Sequence, residues 1–247
     1  MSVNLKGCSV RRYNMSKVSV IIPTYNRFKY LMNTIKSIKA QTHTNIEIIV
    51  VNDCSSQKEY YEYEWPDVTI VHLETNTKAQ FGYACAGFVR NQGIARATGE
   101  YIAFCDDDDI WFPHKLELQL AAMRDSGCNM SSTEGLIGKG PYNVSTTYKK
   151  FNGEWAFQYI QRVYAAHGVT TLPPIWTYEF LKINNCMICS SVIIHKTIID
   201  KIGHMDHVKN GQEDYNYWLR ALKHTNSVYV TDVCFYYDLG HGDGQLY

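Results

Sequence analysis

Residues 102–112 read IAFCDDDDIWF, so Asp106, Asp107, Asp108 and Asp109 stand in a row between two apolar stretches. Adjacent carboxylates repel, and taking them out of water without compensation is costly. A solvated turn capping the next helix would account for an isolated acidic run. The apolar flanks argue instead for acids carried to the end of a buried strand, where a divalent cation relieves the repulsion. Mg²⁺ or Mn²⁺ held by one or two carboxylates leaves positions for water and phosphate oxygens. The expected chemistry is a metal-bound diphosphate. A second acidic pair, Glu213 and Asp214, opens the aromatic stretch EDYNYWLR. Acids in a first helical turn suit the helix dipole, so the pair reads either as a helix start or as a general base facing a cleft.

The elements that must position these groups follow from periodicity. Residues 18–22 (VSVII) are short and rich in β-branched side chains, the pattern of a parallel strand covered on both faces, and Pro23 ends them. From Arg27 onward, Phe28, Leu31, Met32, Ile35 and Ile38 recur at helical spacing. Residues 46–51 (IEIIVV) form a second strand, stopped by Asn52-Asp53-Cys54-Ser55. A third strand over 68–73, a helix over 84–97 and a fourth strand over 101–105 follow. Alternating β and α elements predict a doubly wound sheet, whose ligands lie outside the strand C-termini where strand order reverses. Pro23-Thr24-Tyr25, Asn52-Asp53 and residues 106–109 should therefore line one cleft. Beyond the acids, the pattern predicts a helix over 113–124, strand and loop with little core over 131–150, and a partly helical aromatic segment over 151–174. A strand over 186–195, a short helix over 196–202, a helix over 214–222 and a last strand over 227–237 complete the chain. No internal repeat or linker interrupts it, so one domain is expected.

Composition narrows the classes. At 45% apolar and 19% charged residues the 247-residue chain can bury a substantial core, and disorder is excluded. Twenty-four basic and 24 acidic residues cancel, so no global field attracts nucleic acid. No apolar run approaches the length of a membrane span, and residues 1–17 lack the apolar core of a signal peptide. A cytoplasmic protein without an integral membrane segment is expected, peripheral association being compatible with it. Of eight cysteines only Cys186 and Cys189 have metal or redox spacing, and no second pair matches them; reduced, buried thiols are the reading. The Asn-x-Ser sequons at Asn14, Asn129 and Asn143 carry no weight without a secretory signal.

Taken in order, VSVIIPTYNR, SIKAQTHTNIEIIVVNDCS, RNQGIARATGEYIAFCDDDDIW, IGHMD and EDYNYWLR resemble a family 2 glycosyltransferase over roughly residues 18–237. The resemblance implies an α/β chain with a single GT-A domain: a Rossmann-like, mostly parallel sheet with helices on both faces and a smaller acceptor-side region. Residues 1–17 would be an N-terminal extension, 18–112 the nucleotide-sugar half and 113–247 the acceptor half. It also implies an inverting enzyme that moves a sugar from a nucleotide-sugar, most often a UDP-sugar, to a glycan, glycoprotein or glycolipid acceptor. By position, Pro23, Thr24 and Tyr25 match the segment around base and ribose, with Arg27 beside them. Asp53 matches the acid that reads the base edge. Asp106, Asp107 and Asp108 cover the DxD motif: Asp107 near the ribose, Asp108 as the direct ligand of Mn²⁺ or Mg²⁺ with Asp106 its companion. Asp109 is left between an acceptor-side role and a structural one. Asp214 matches the catalytic base, with Glu213 next to it.

Three departures stand out. Asn52 replaces the first acid of the usual pair. The stretch between Asn76 and Arg90 is longer than usual, leaving Lys78 and Arg90 both as candidates for the basic residue at the nucleotide. The chain ends soon after the core, so no appended acceptor or membrane module is expected. His241, in a Gly-rich tail, stands either as a lid contact to metal or phosphate or as a tail residue without a role. Two other enzyme classes fit less well. A sugar nucleotidyltransferase would need a glycine-rich basic signature after the first strand, where Tyr25-Asn26-Arg27 supplies no glycine, and a nicotinamide enzyme would need G-x-G-x-x-G there. A non-catalytic nucleotide or glycan binder would have no use for Asp214 beside Asp108.

Overall fold

The computed structural model describes residues 16–209 and 211–240. Most of the expected N-terminal extension, and His241, lie outside them. The nucleotide-side half runs β1 (Val18–Thr24), α1 (Phe28–Lys39), β2 (Ile46–Asn52), α2 (Glu59–Glu62), β3 (Val68–His72), α3 (Thr77–Phe81), α4 (Ala86–Ile94), β4 (Tyr101–Phe104) and β5 (Ile110–Trp111). Next come α5 (Lys115–Ser126), β6 (Met130–Gly138), β7 (Lys149–Lys150), a π-helical turn (Phe151–Trp155), α6 (Phe157–Ala165), β8 (Ile175–Trp176) and α7 (Tyr178–Leu181). A 3₁₀ turn (Cys189–Ser191), β9 (Ile193–His195), α8 (Lys196–Ile202), α9 (Glu213–Ala221) and β10 (Ser227–Asp238) close the fold.

All strands join one sheet in the order β3-β2-β1-β4-β9-β6-β10-β5, with β7 on β6 and β8 on β10. The long pairings, β1 with β2, β2 with β3, β1 with β4 and β6 with β10, are parallel. Short antiparallel pairs through β9 join the two halves. Both faces are covered, which explains the near-continuous apolar strands. Val18, Val20 and Ile22 pack with Leu31, Ile35 and Ile38 of α1 on one face. Ile21, Val51 and Phe104 pack with Val89 of α4 and Trp218 of α9 on the other. The chain leaves β1 toward β2 and β3, then returns to place β4 on β1's other side. That reversal sets a crevice at the C-terminal ends of β1 and β4.

Three segments differ from the sequence pattern. The helix expected over 84–97 is shorter, and α3 precedes it: the Asn76 side chain caps α3 by accepting the Lys78 N–H, and Gly82 ends it at φ +80°. Of the strand expected over 186–195 only β9 pairs into the sheet. Ser191 closes a turn by donating its N–H (2.9 Å) and its hydroxyl (2.7 Å) to the Ile188 carbonyl, competing locally with sheet pairing. The 131–150 segment is less of a loop than its Ser, Thr and Gly content predicts. Residues 130–135 are buried in β6 between β9 and β10, and Gly135 leaves room for the Phe235 ring, which a Cβ would meet at 2.4 Å. Cys186 and Cys189 are buried free thiols.

Gly93 brings α4 against the sheet: a Cβ there would lie 2.5 Å from Ile21 Cγ2 and 3.2 Å from Val51 Cγ2. Both contacts belong to central strands that cannot give way cheaply. Gly93→Ala is expected to lose about 1–3 kcal/mol in denaturant unfolding despite alanine's better helix propensity; unchanged or raised stability would contradict this packing.

Candidate active site

β4 carries four acids to the crevice, and each meets a different environment. Asp107 is buried; its Oδ2 accepts the Thr24 hydroxyl (2.7 Å) and its Oδ1 accepts Arg27 Nη1 (3.0 Å). The same Nη1 donates to Asp108 Oδ2 (2.7 Å). Asp106 Oδ1 accepts Nη2 of Arg90 (2.7 Å), whose Nη1 reaches Glu213 Oε1 (2.8 Å). Asp109 is fully buried, its Oδ1 accepting the Asp238 N–H (3.1 Å) and its Oδ2 having no hydrogen-bond partner among the described residues. The turn itself is fixed from behind by the Thr34 hydroxyl, within hydrogen-bond reach of the carbonyls of Asp107 (2.9 Å) and Asp109 (2.8 Å). The Asp106 N–H donates to Ser190 Oγ (2.9 Å), which gives the 3₁₀ turn that replaced part of the expected strand a place in the site.

Electrostatics separate the acids further. Burial, then the charge of Asp107, pushes the Asp108 carboxyl up to about 8, with Arg27 opposing. Burial, then Asp108 and Asp106, holds Asp109 well above the carboxylate range. Burial also raises Asp107, against Arg27 and Thr24. For Arg90, burial works against the charge, but the paired carboxylates of Asp106 and Glu213 outweigh it and keep the guanidinium protonated.

These groups border a cleft of about 230 Å³. Pro23, Thr24, Arg27, Asp53, Arg90, Asp106, Asp107 and Asp108 all line it. Tyr25, Lys78, Glu213 and Asp214 do not; Lys78 stands exposed on α3, whereas Arg90 faces the cleft. Asp53 Oδ1 accepts the Thr77 N–H (2.8 Å) and Oδ2 the Thr77 hydroxyl (2.6 Å), so this acid also ties the longer 76–90 stretch to the end of β2. Asn52 turns away from the cleft: its Oδ1 accepts the Ser55 N–H (3.0 Å) and its Nδ2 meets His72 Nδ1 (3.0 Å). Thr77, Cys85, Tyr237 and Asp238 line the cleft without having been singled out from the sequence. The only available signal for the last two was that β10, ending at 238, terminates at the same sheet edge as β1 and β4.

Asp214 opens α9. The helix is pinned by Tyr217, Trp218 and Ala221, and the Trp218 ring packs 5.4 Å from Phe104 of β4. The helix bearing Asp214 is thus fixed to the strand that bears the aspartates. Asp214 Oδ1 accepts the Tyr215 N–H (2.6 Å), and burial pushes its carboxyl up to about 6, with Arg90 opposing and Glu213 adding to the rise. Glu213, the neighbouring candidate, is committed to Arg90.

A profile of the glycosyl transferase family 2 matches residues 19–165. The chain belongs to this family. The β-1,3-glucosyltransferase WfgD of Escherichia coli, named for transfer from UDP-Glc to α-D-GlcNAc-diphosphoundecaprenol, is 31% identical over 85% of this chain and 71% of its own. TuaG of Bacillus subtilis, a teichuronic acid biosynthesis glycosyltransferase by name, is 38% identical over 47% of this chain and 45% of its own. Other relatives are much longer: a Rickettsia bellii glycosyltransferase is 39% identical over 56% of this chain but only 20% of its own length. Among solved structures, TarS (residues 1–349) of S. aureus matches 90% of this chain and 60% of its own with a TM-score of 0.64 and 20% identity, a likeness of fold.

For a family 2 glycosyltransferase the donor set fits a limited kind of metal binding. Among the described residues no three His, Cys, Asp or Glu side chains converge as a cage. Asp106 and Asp108 face the cleft, each bound on one oxygen by an arginine. One or two such carboxylates suit a hard cation whose remaining positions come from phosphate and water. Burial, and then the charge of Asp107, raises the Asp108 carboxyl, and a cation there would favour its ionised form.

Arg90 is the charge that lets Asp106 and Glu213 share this space. Arg90→Met leaves two carboxylates without their cation and is expected to cost about 3–5 kcal/mol in denaturant unfolding, with Arg90→Met/Glu213→Gln recovering part of it. A loss below about 1 kcal/mol, the range of surface ion pairs, would contradict the pairing.

Proposed function

We propose that the chain transfers a sugar from a UDP-sugar to a hydroxyl of a glycan or lipid-linked glycan by a single inverting displacement, with Asp214 as general base. The observation that carries this reading is a carboxyl held at about 6, on a helix fixed to the strand that delivers the acids. A base is most effective when its pKa lies near the working pH. WfgD, whose name gives a UDP-sugar donor and a diphosphate-lipid acceptor, supports the substrate classes, and TarS, of the same fold, has been solved with UDP-GlcNAc.

In this mechanism Pro23, Thr24 and Asp53 hold the base and ribose; Asp53 Oδ1, which accepts the Thr77 N–H, keeps a second lone pair for a base N–H. Asp107 stands at the ribose end and Asp108, with Asp106, at the diphosphate. A bound Mn²⁺ or Mg²⁺ would neutralise the charge that builds on the leaving diphosphate. Arg27 and Arg90 keep the acids close enough to act together. Asp214 takes the proton of the acceptor hydroxyl as its oxygen bonds to the anomeric carbon, and the electron pair of the breaking bond leaves with the diphosphate. No covalent enzyme intermediate forms. The described cysteines are free, and six of the seven are buried, which supports a reducing, cytoplasmic setting. No described helix is long and apolar enough to cross a membrane.

Asp214→Asn is expected to lower kcat by about 10²–10⁴-fold while donor KM stays near wild type. Because Asp214 acts ionised and its carboxyl lies at about 6, wild-type kcat should fall as pH drops through that value and level off above it. Steady-state assays with UDP-sugars across pH 5–8 read both effects. Near-normal turnover by Asp214→Asn, or the same acidic limb persisting in it, would sink the base assignment.

A further inference from the structure

Tyr60 lies outside the cleft, in the polar stretch after β2, and its side chain is fully buried. Its hydroxyl sits between two residues that the cleft uses. It is 2.6 Å from Thr24 Oγ1, and it accepts the Arg27 N–H at 3.0 Å. The direction of the chain can be worked out. A threonine hydroxyl has one proton, and that of Thr24 goes to Asp107 Oδ2 (2.7 Å). Thr24 therefore accepts from Tyr60, so the phenol proton is used on Thr24 while its oxygen takes the Arg27 N–H. The sequence Arg27 N–H to Tyr60, Tyr60 to Thr24, Thr24 to Asp107 leaves no free rotor. Arg27 also returns to Asp107 through Nη1 at 3.0 Å. One phenol oxygen thus meets the side chain of Thr24 and the main chain of Arg27, the two residues that hold Asp107.

We infer that Tyr60 is a positioning residue for donor binding, resting on the proposed function: its hydroxyl fixes Thr24 and Arg27, and through them Asp107 and the neighbouring Asp108. Without it Thr24 Oγ1 loses the donor that orients it for its bond to Asp107, and the Arg27 N–H at the entrance to α1 loses this acceptor. The ring is held independently of the hydroxyl, edge-on to Phe28 (5.4 Å) and stacked near Trp65 (6.5 Å). Removing the oxygen alone therefore leaves the packing in place and tests the relay.

The test compares wild type, Tyr60→Phe, Thr24→Val and the double variant, in the full chain with UDP-glucose and UDP-GlcNAc as donors at saturating Mn²⁺. Tyr60→Phe should raise donor KM about tenfold with kcat little changed, the size expected for one buried hydrogen bond. Thr24→Val should do likewise, and the double variant should be no worse than Thr24→Val, because both break the same chain. Wild-type donor KM in Tyr60→Phe overturns the inference. So do effects that multiply in the double variant, or a fall in kcat alone with lowered melting temperature, the mark of a merely structural loss. If the wild type turns over neither donor and binds no UDP, the proposed function fails and this inference falls with it; an active wild type beside an unaffected Tyr60→Phe removes only the inference.

Discussion

Two guanidinium groups make this strand end possible. Arg27, entering α1, holds Asp107 and Asp108; Arg90, in the middle of α4, holds Asp106 and reaches across to Glu213. Five carboxylates gathered where water is scarce would otherwise repel one another or take up protons. Asp109, which neither arginine reaches, is held well above the carboxylate range by burial and then by the charges of Asp108 and Asp106. The rest of the fold follows from delivering these cations. α1 and α4 must lie on opposite faces of the sheet and meet over the end of β4, and α9 must bring its first turn to the same point. Gly93, in close contact with Ile21, and Trp218, packed on Phe104, are the contacts that set those distances.

The same arrangement gives neighbouring acids different chemistry. Asp108 is raised yet faces the cleft, Asp107 is tied by Thr24 and Arg27, and Asp214, on another element, is tuned by burial against the pull of Arg90. Arg90 thus connects the acids that follow β4 with the helix that carries Asp214. A substitution there would alter stability and the protonation of Asp214 together.

Much of this was legible in the sequence where one residue type answers one local demand. β1, β2 and β4 are buried on both faces, so they read as apolar runs, and acids following such a run had to sit at a strand end. Residues whose role depends on distant partners were not legible. Tyr60 stands in EYYEYEW, among tyrosines that differ only in what they touch. Thr77 and Asp238 join the cleft through folding alone. β6 opens with Ser131, Ser132 and Thr133, a composition that reads as loop, yet its central place in the sheet buries all three. Asn52 looked like a loss at the nucleotide site because the resemblance expected an acid there. In the structure it turns the chain after β2 and binds β3. Lys78 and Arg90 were equal candidates by spacing; only the helix boundary, ending α3 at Gly82, separates an exposed side chain from one facing the cleft.

The central claim is that Asp108 and Asp106 form the proposed seat for a metal-bound diphosphate, in an acidic cluster whose repulsion the arginines only partly relieve. Calorimetric titration of the full chain with UDP, in Mn²⁺ and again in EDTA, tests it most directly. The account predicts binding at least about tenfold tighter with the metal, a difference of about 1.4 kcal/mol. Equal affinity in Mn²⁺ and EDTA would contradict it.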